Sequence, residues 1–157
     1  MRNAKLIALA LVAAAVAVLI AAVAAHSSSH GGKQVVKTAR VAGKTILVNR
    51  QGHTLYTLSA ERPGRFICTT RFCLSLWKPL VVSAGTKPAG ARSLGTVKRP
   101  DGRRQVTYRG GPLYTFVQDK KSGDISGDGF KDVGVWHPVV VAGGSQNAPS
   151  PKSGYGY

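Results

Sequence analysis

Residues 52–61 read GHTLYTLSAE and residues 111–119 read GPLYTFVQD, and the two segments share one pattern. Each copy contains Leu-Tyr-Thr followed by an apolar residue, with a carboxylate five positions after the tyrosine. Short segments rich in aromatic and β-branched residues between turn residues are typical of strands. The sequence therefore predicts two related strand segments.

A second match follows each copy at nearly the same distance. Trp77 begins the stretch WKPLVV, and Trp136 begins the stretch WHPVVV. The tryptophan lies 21 residues after Tyr56 in the first copy and 22 residues after Tyr114 in the second. Two ordered matches at nearly equal spacing indicate an internal duplication.

The remaining apolar pattern also predicts strands rather than helices. The predicted strands are Val35–Val41, Thr45–Val48, Thr54–Leu58, Leu80–Val82, Leu94–Val97, Gln105–Tyr108, Leu113–Val117 and Val139–Val141. Asp101-Gly102 favours a two-residue hairpin turn, and one helical turn is expected near Ser75–Trp77. We predict an all-β fold. Two tandem pseudo-repeats of short antiparallel strands, about 40–85 and 94–142, form one compact domain over residues 35–142.

Composition and charge narrow the class of protein. The chain has 157 residues, with 22 Lys and Arg against 6 Asp and Glu and a formal net charge of +16. Apolar residues make up 43% and charged residues 18%, which excludes a polytopic membrane protein and a chain disordered by composition. The length fits one domain. The charge favours an acidic partner.

The first 25 residues predict export. Arg2 and Lys5 precede an unbroken apolar run over residues 6–25, which ends in small residues before a polar segment. This pattern fits a cleaved signal peptide, and a run of 20 residues also fits a retained membrane anchor. Either reading places the chain in the cell envelope or outside it, with membrane contact only through residues 6–25 if they stay uncleaved. We predict a flexible linker over 26–34 and a disordered tail over 143–157.

The tyrosine–carboxylate spacing resembles a known family. Tyr114 and Asp119 fit a Y-x4-D motif, and Tyr56 and Glu61 fit it with Glu in place of Asp. The chain thereby resembles the secreted or lipoprotein repeat family of bacterial envelopes that this motif defines. The resemblance covers about residues 43–141 and implies a location rather than a chemistry, because the family has no well-established general activity.

Other features of the family are present, and one is missing. The family's cysteine pair before a Trp-x-Pro-Leu stretch resembles Cys68, Cys73 and the segment after Trp77. Its basic Asp-Gly hairpin resembles residues 99–108. No cysteine precedes Cys68, so the lipid-acceptor cysteine of many members is lacking.

The motif allows two interpretations. In the structural one, each carboxylate lies past the end of a strand and accepts hydrogen bonds from turn amides or a tyrosine hydroxyl, beside a packed tyrosine. In the functional one, Tyr56, Glu61, Tyr114 and Asp119 act as acid, base or ligand clamp. A cleft joining these four side chains would favour the functional interpretation.

The two cysteines are expected to form a disulfide. Cys68 and Cys73 are separated by four residues in a chain predicted to be exported. Closing so short a loop stabilises the fold by about 2 kcal/mol in the entropy model. A redox pair or a metal site is the alternative, but C-x4-C lacks the C-x-x-C spacing of redox centres.

Metal and cofactor sites find little support. Asp124, Asp128 and Asp132 lie in a Gly-rich stretch, yet their spacing lacks the calcium-loop register, so we interpret them as a solvated loop. His53 and His137 can be imagined as metal or haem ligands, but they do not occupy matching positions in the two copies. No cofactor is expected.

The cations suggest the partner. Residues 62–109 hold 11 Lys and Arg and a single acidic residue. Four of them flank one predicted hairpin and are expected to form a cationic lobe that binds anions: Lys98, Arg99, Arg103 and Arg104. We expect a non-catalytic envelope module that binds anionic polymers or lipid headgroups, with no specific nucleic acid partner. The alternative is an exported enzyme, or a redox, metal or haem protein, that uses the tyrosine–carboxylate motifs or the histidines.

Overall fold

The computed structural model describes residues 31–141, which contain twelve strands and one six-residue helix. The strands are β1 (Lys33–Gln34), β2 (Val36–Val41), β3 (Lys44–Asn49), β4 (Tyr56–Leu58), β5 (Trp77–Pro79), β6 (Val81–Val82), β7 (Pro88–Ala89), β8 (Leu94–Lys98), β9 (Arg104–Tyr108), β10 (Gly111–Pro112), β11 (Tyr114–Phe116) and β12 (Trp136–Pro138). The helix is α1 (Arg71–Leu76). The predicted all-β class is confirmed.

The tyrosine and tryptophan segments form one four-stranded antiparallel sheet in the order β12-β4-β11-β5. Tyr56 lies opposite Tyr114 at its centre. The two Trp-x-Pro segments are β5 and β12, which lie at the ends of this strand order. Proline has no N–H to donate, so strands that contain it are suited to a sheet edge.

The strands of the two predicted copies are interleaved in this sheet. Strand β5 belongs to the first copy and pairs with β11 of the second, so that Trp77 lies opposite Phe116. Strand β12 belongs to the second copy and pairs with β4 of the first, so that Trp136 lies opposite Leu58. Each tryptophan strand therefore completes the sheet of the other copy.

Two closed rings of backbone hydrogen bonds also connect residues of the two copies. Each ring has three N–H···O bonds of 2.8–3.0 Å. One ring joins Leu47, Leu55 and Val139, and the other joins Val106, Leu113 and Leu80. Both rings combine two residues of one copy with one residue of the other.

The aromatic side chains fill a core beneath the four-stranded sheet. The rings of Trp77 and Trp136 are stacked with centroids 3.8 Å apart and planes 10° apart. Tyr56 meets Trp77 edge to face at 5.3 Å, and Tyr114 meets Trp136 in the same way at 5.1 Å. All four are 0% exposed. A second apolar core packs around Leu47 and includes residues of both copies.

The hairpin turn between β8 and β9 differs from the two-residue turn predicted at Asp101-Gly102. The amide of Arg99 donates to the carbonyl of Arg103 at 2.8 Å, which encloses three residues. Gly102 has φ +84°, whereas Asp101 stays at negative φ. Pro100 explains the difference, because its ring fixes φ near −65° and suits the first position of a type I turn, with glycine then taking the left-handed position.

Several element boundaries also differ from the prediction. The predicted strand Leu80–Val82 is found as β6 (Val81–Val82), whereas the predicted strand Val139–Val141 does not form, and strands β5 and β12 at the tryptophans were not predicted. The helix begins at Arg71 rather than near Ser75. Thr70 caps its start, because the side chain of Thr70 accepts a hydrogen bond from the amide of Cys73. Strands β5 and β12 form at the tryptophans because these segments pair with β11 and β4.

Two residues of the predicted linker form a strand. Lys33 and Gln34, which were predicted to lie in a flexible linker, form β1 and pair in parallel with β7. Residues 1–30 and 142–157 lie outside the described residues, so the predicted signal peptide or anchor and the predicted tail stay predictions. Within residues 31–141, no helix has the length and apolar character needed to cross a bilayer.

Candidate functional site

The two tyrosines bind the carboxylates of the opposite copy. The hydroxyl of Tyr56 donates to Asp119 Oδ2 at 2.7 Å. The hydroxyl of Tyr114 lies 3.1 and 3.0 Å from the two carboxylate oxygens of Glu61. The four side chains are between 0% and 4% exposed. They are buried pairs and do not line an open cleft.

Each carboxylate also holds the loop that follows it. Glu61 Oε1 accepts hydrogen bonds from the amides of Ile67 and Cys68, both at 2.9 Å. Asp119 Oδ1 accepts the amide of Ser126 at 2.9 Å. Buried carboxylates need such donors, because an unpaired buried charge is costly. The geometry is that of the structural interpretation: a carboxylate that caps a turn beside a packed tyrosine.

Burial controls the protonation of this network. It raises the pKa of Tyr56 well above its ordinary value, and the hydrogen bond and charge of Asp119 raise it further. Burial and then the charge of Glu61 raise the pKa of Tyr114, while Arg99 opposes the shift. Burial also raises the pKa of Asp119, against the hydrogen bond from Tyr56. Both tyrosines are therefore neutral donors near pH 7 and poor candidates for acid–base chemistry there.

We expect Tyr56 and Tyr114 to ionise in alkaline solution only when the protein unfolds. Tyrosines of an unfolded chain ionise near pH 10. Because the pKa of both is raised in the folded protein, their contribution to stability is complete below about pH 10 and is lost as the pH rises further. Tyrosinate absorbance recorded together with circular dichroism measures this. Tyr56→Phe and Tyr114→Phe should each remove one tyrosine from the group that ionises on unfolding. Ionisation of either residue while the circular dichroism is still that of the folded protein would contradict the burial.

Arg99 does not belong to the predicted cationic lobe. It is 3% exposed. Its guanidinium donates to the carbonyl of Cys68 at 2.9 Å, to the hydroxyl of Tyr114 at 3.1 Å and to the side chain of Gln105. It also lies over the ring of Phe66, 4.8 Å from the centroid. Arg99 is thus a buried donor that links the cysteine loop to the tyrosine network, and its prediction as a surface anion-binding residue is wrong.

The other members of the predicted lobe are exposed. Arg103 forms a salt bridge of 2.7 Å with Asp101, and its hydrogen bond lowers the pKa of Asp101 to about 2. Lys98 and Arg104 lie opposite each other in the β8–β9 ladder. Three exposed cations therefore remain at this hairpin.

Cys68 and Cys73 are joined by a disulfide, with Cα atoms 5.5 Å apart. Both residues are buried, at 0% and 1% exposure. The bridge closes the turn that leads into α1 and thereby holds the backbone that binds Glu61 and Arg99. The structure therefore has the disulfide that the sequence predicts.

The aspartates of the Gly-rich loop act separately. Asp124 accepts the amides of Lys120 and Lys121, both at 2.8 Å. Asp132 accepts the indole N–H of Trp136 at 2.8 Å. Asp128 lies 3.2 Å from the ring of His137. Across residues 31–141, no three His, Cys, Asp or Glu side chains are grouped as metal ligands.

One segment of the chain matches a known protein family. Residues 95–140 match the family described as a secreted repeat of unknown function. The matched segment contains Tyr114, Asp119 and Trp136, so the predicted family resemblance is confirmed there. The description of the secreted repeat agrees with the predicted export of the chain. No curated protein and no solved structure matches the chain.

The segment that matches the family lies in the interleaved sheet. The matched segment runs from β8 to β12 and therefore includes the strand that pairs with β4 of the first copy. It also includes Asp119, which binds Tyr56 of the first copy. The segment that matches the family is thus bound to residues that lie outside the match.

Proposed function

We propose that this protein is a non-catalytic binding or structural module of the cell envelope, and that its basic surface binds anionic envelope components. One observation carries the proposal. Residues 31–141 contain 19 Lys and Arg, and all of them except Arg99 are exposed. Such a surface attracts polyanions over several ångströms and raises their local concentration.

The carboxylates do not neutralise this surface. Glu61 and Asp119 are buried among backbone amides and tyrosine hydroxyls. Among the described residues, the salt bridges of Lys and Arg all involve Asp101, which binds Arg99 and Arg103. Most exposed cations in this part of the chain are therefore available to an external anion.

The enzyme alternative is less well supported by the site. It requires reactive groups that a substrate can reach, and the tyrosine–carboxylate pairs are buried and committed to each other. The two described histidines, His53 and His137, are not grouped with other metal-ligating side chains in residues 31–141. A binding role needs none of these groups.

Binding to anionic and neutral surfaces tests the proposal. We expect the protein to bind vesicles that contain phosphatidylglycerol, and soluble polyphosphate, more tightly than phosphatidylcholine vesicles. If a linear polyanion behaves like a single-stranded nucleic acid, a site that neutralises about three charges should lose roughly 20-fold in affinity between 50 and 200 mM salt. Sedimentation and fluorescence titration at several salt concentrations measure both effects.

Variants of the β8–β9 hairpin sharpen this experiment. Replacing Lys98, Arg103 and Arg104 by Glu reverses three exposed charges and leaves the buried Arg99 in place. The matched control exchanges Lys and Arg at the same three positions and keeps the charge. Equal binding to neutral and anionic vesicles, or binding that salt does not weaken, would refute the proposed electrostatic role.

A further inference from the structure

Two shallow grooves on the domain are formed by similar structural elements. The first has a volume of about 480 Å³ and the second of about 430 Å³. Each is formed where the turn after a hairpin strand meets an apolar segment. The first groove is lined in this way by Asn49, Arg50, Leu80 and Val81, and the second by Tyr108, Arg109, Val139 and Val140.

These four lining residues of one groove correspond to the four of the other. Arg109 lies 59 positions after Arg50, and the other three residues of each groove are related by the same offset. This offset also relates Leu47 to Val106 and Leu80 to Val139 in the two backbone rings. The grooves are therefore equivalent places in the two copies, and each presents an arginine from a turn.

Each groove has a second cation from elsewhere in the chain. Lys33 of β1 lines the first groove, and Arg62 lines the second. All four cations are exposed. No Asp or Glu lines the first groove. Glu61 lines the second, but its carboxylate already accepts the hydrogen bonds of two amides and lies against Tyr114. Both grooves therefore favour anions.

The arginine of the second groove is held in place. Its guanidinium lies over the ring of Tyr108, 5.3 Å from the centroid. Its backbone has φ +49° in the two-residue turn between β9 and β10. A guanidinium oriented in this way presents a planar set of donors to a phosphate or carboxylate.

We propose that the two grooves together form a bivalent site for one repeating anionic polymer. This inference rests on the proposed function and specifies its site. Once one groove holds a charged unit, the second groove binds another unit of the same chain at a high effective concentration, which raises affinity by about 10²–10⁴. A domain of about 100 residues is roughly 35 Å across, so a polymer longer than that can reach both grooves.

A polymer fits this arrangement better than a membrane does. The grooves are concave, and their apolar segments lie beside the cations, so a narrow chain can enter them. A bilayer presents its headgroups in a plane and meets protruding cations first. The duplication of the groove also matches a ligand that repeats the same charged unit along its length.

Chain length is the first test. Tripolyphosphate can occupy one groove, whereas long-chain polyphosphate can occupy both. At equal phosphate concentration, we expect the full-length protein to bind the long chain at least about 100-fold more tightly. Polygalacturonate beside its short oligomers repeats the test with carboxylates. Calorimetry supplies affinity and stoichiometry. Equal affinity per charged group for short and long chains would overturn the bivalent site.

Groove variants are the second test. Arg50→Gln and Arg109→Gln should each remove most of the advantage of the long chain, with a loss of about 100-fold for polymer and much less for tripolyphosphate. Arg40→Gln and Arg92→Gln are matched controls, because both residues are exposed and line neither groove. Circular dichroism confirms that all variants fold.

The outcomes separate this inference from the proposed function. If the controls weaken polymer binding as much as the groove variants do, the charge acts diffusely; the bivalent site is then wrong and the proposed function stands. If the groove variants weaken binding to phosphatidylglycerol vesicles and leave polymer binding unchanged, the grooves serve a membrane and the inference is wrong. If neither polymer nor anionic vesicles bind, the proposed function fails as well.

Discussion

Truncating Trp77 or Trp136 to alanine is expected to lower the free energy of unfolding by about 3–5 kcal/mol, the usual cost of removing a large buried aromatic side chain. Both indoles are 0% exposed and stack on each other, and each also meets a tyrosine edge to face. Urea denaturation followed by circular dichroism measures the loss. A loss below 1 kcal/mol for either variant would contradict the stacked core.

Phenylalanine at the same positions separates packing from hydrogen bonding. The indole N–H of Trp136 donates to Asp132, whereas that of Trp77 has no partner among the described residues. Trp136→Phe should therefore be more destabilising than Trp77→Phe by about 1.5–3 kcal/mol, the range for a hydrogen bond to a charged group. The double alanine variant should lose less than the sum of the single variants, because the two rings contact each other.

Arg99→Met should lower the free energy of unfolding by about 3 kcal/mol, even though it replaces a cation by an apolar side chain. The substitution removes the donor to Tyr114, to Gln105 and to the carbonyl of Cys68, which then lie buried without it. Arg103→Met is the matched control. It lies at the same hairpin and forms only an exposed salt bridge with Asp101, so we expect a loss below about 1 kcal/mol. Equal effects of the two substitutions would mean that the buried network adds nothing to stability.

The strands and the aromatic core were predictable because their signals are local. The tyrosines recur within short alternating segments, and each tryptophan begins a Trp-x-Pro stretch. Large aromatic residues in such segments are usually buried. Both tyrosines and both tryptophans lie in the core, opposite each other or stacked.

The pairing of strands from different copies was not predictable from these signals. The motif places each carboxylate five residues from a tyrosine of its own copy, yet Tyr56 binds Asp119 and Tyr114 binds Glu61. A repeat pattern specifies which residues correspond, but it does not specify which copy each strand pairs with. Strand pairing depends on how the connections run, and no residue in the motif records that.

The burial of Arg99 was not predictable for a similar reason. Its neighbours in sequence include Lys98 and Arg103, and such a cluster is typical of an exposed hairpin. The partners that bury it, Cys68 and Tyr114, lie 31 and 15 residues away. The offset of 59 relates Arg99 to Arg40, which is exposed, so comparison of the copies carries no signal for this site either.

The interleaved sheet has a consequence for the predicted export of the chain. A chain that is exported unfolded is held back when it folds stably before its passage. Strand β4 receives its neighbours only from β11 and β12, the latter at residues 136–138. The four-stranded sheet therefore stays incomplete until almost all of the described chain is available, a property that suits the predicted export of an unfolded chain.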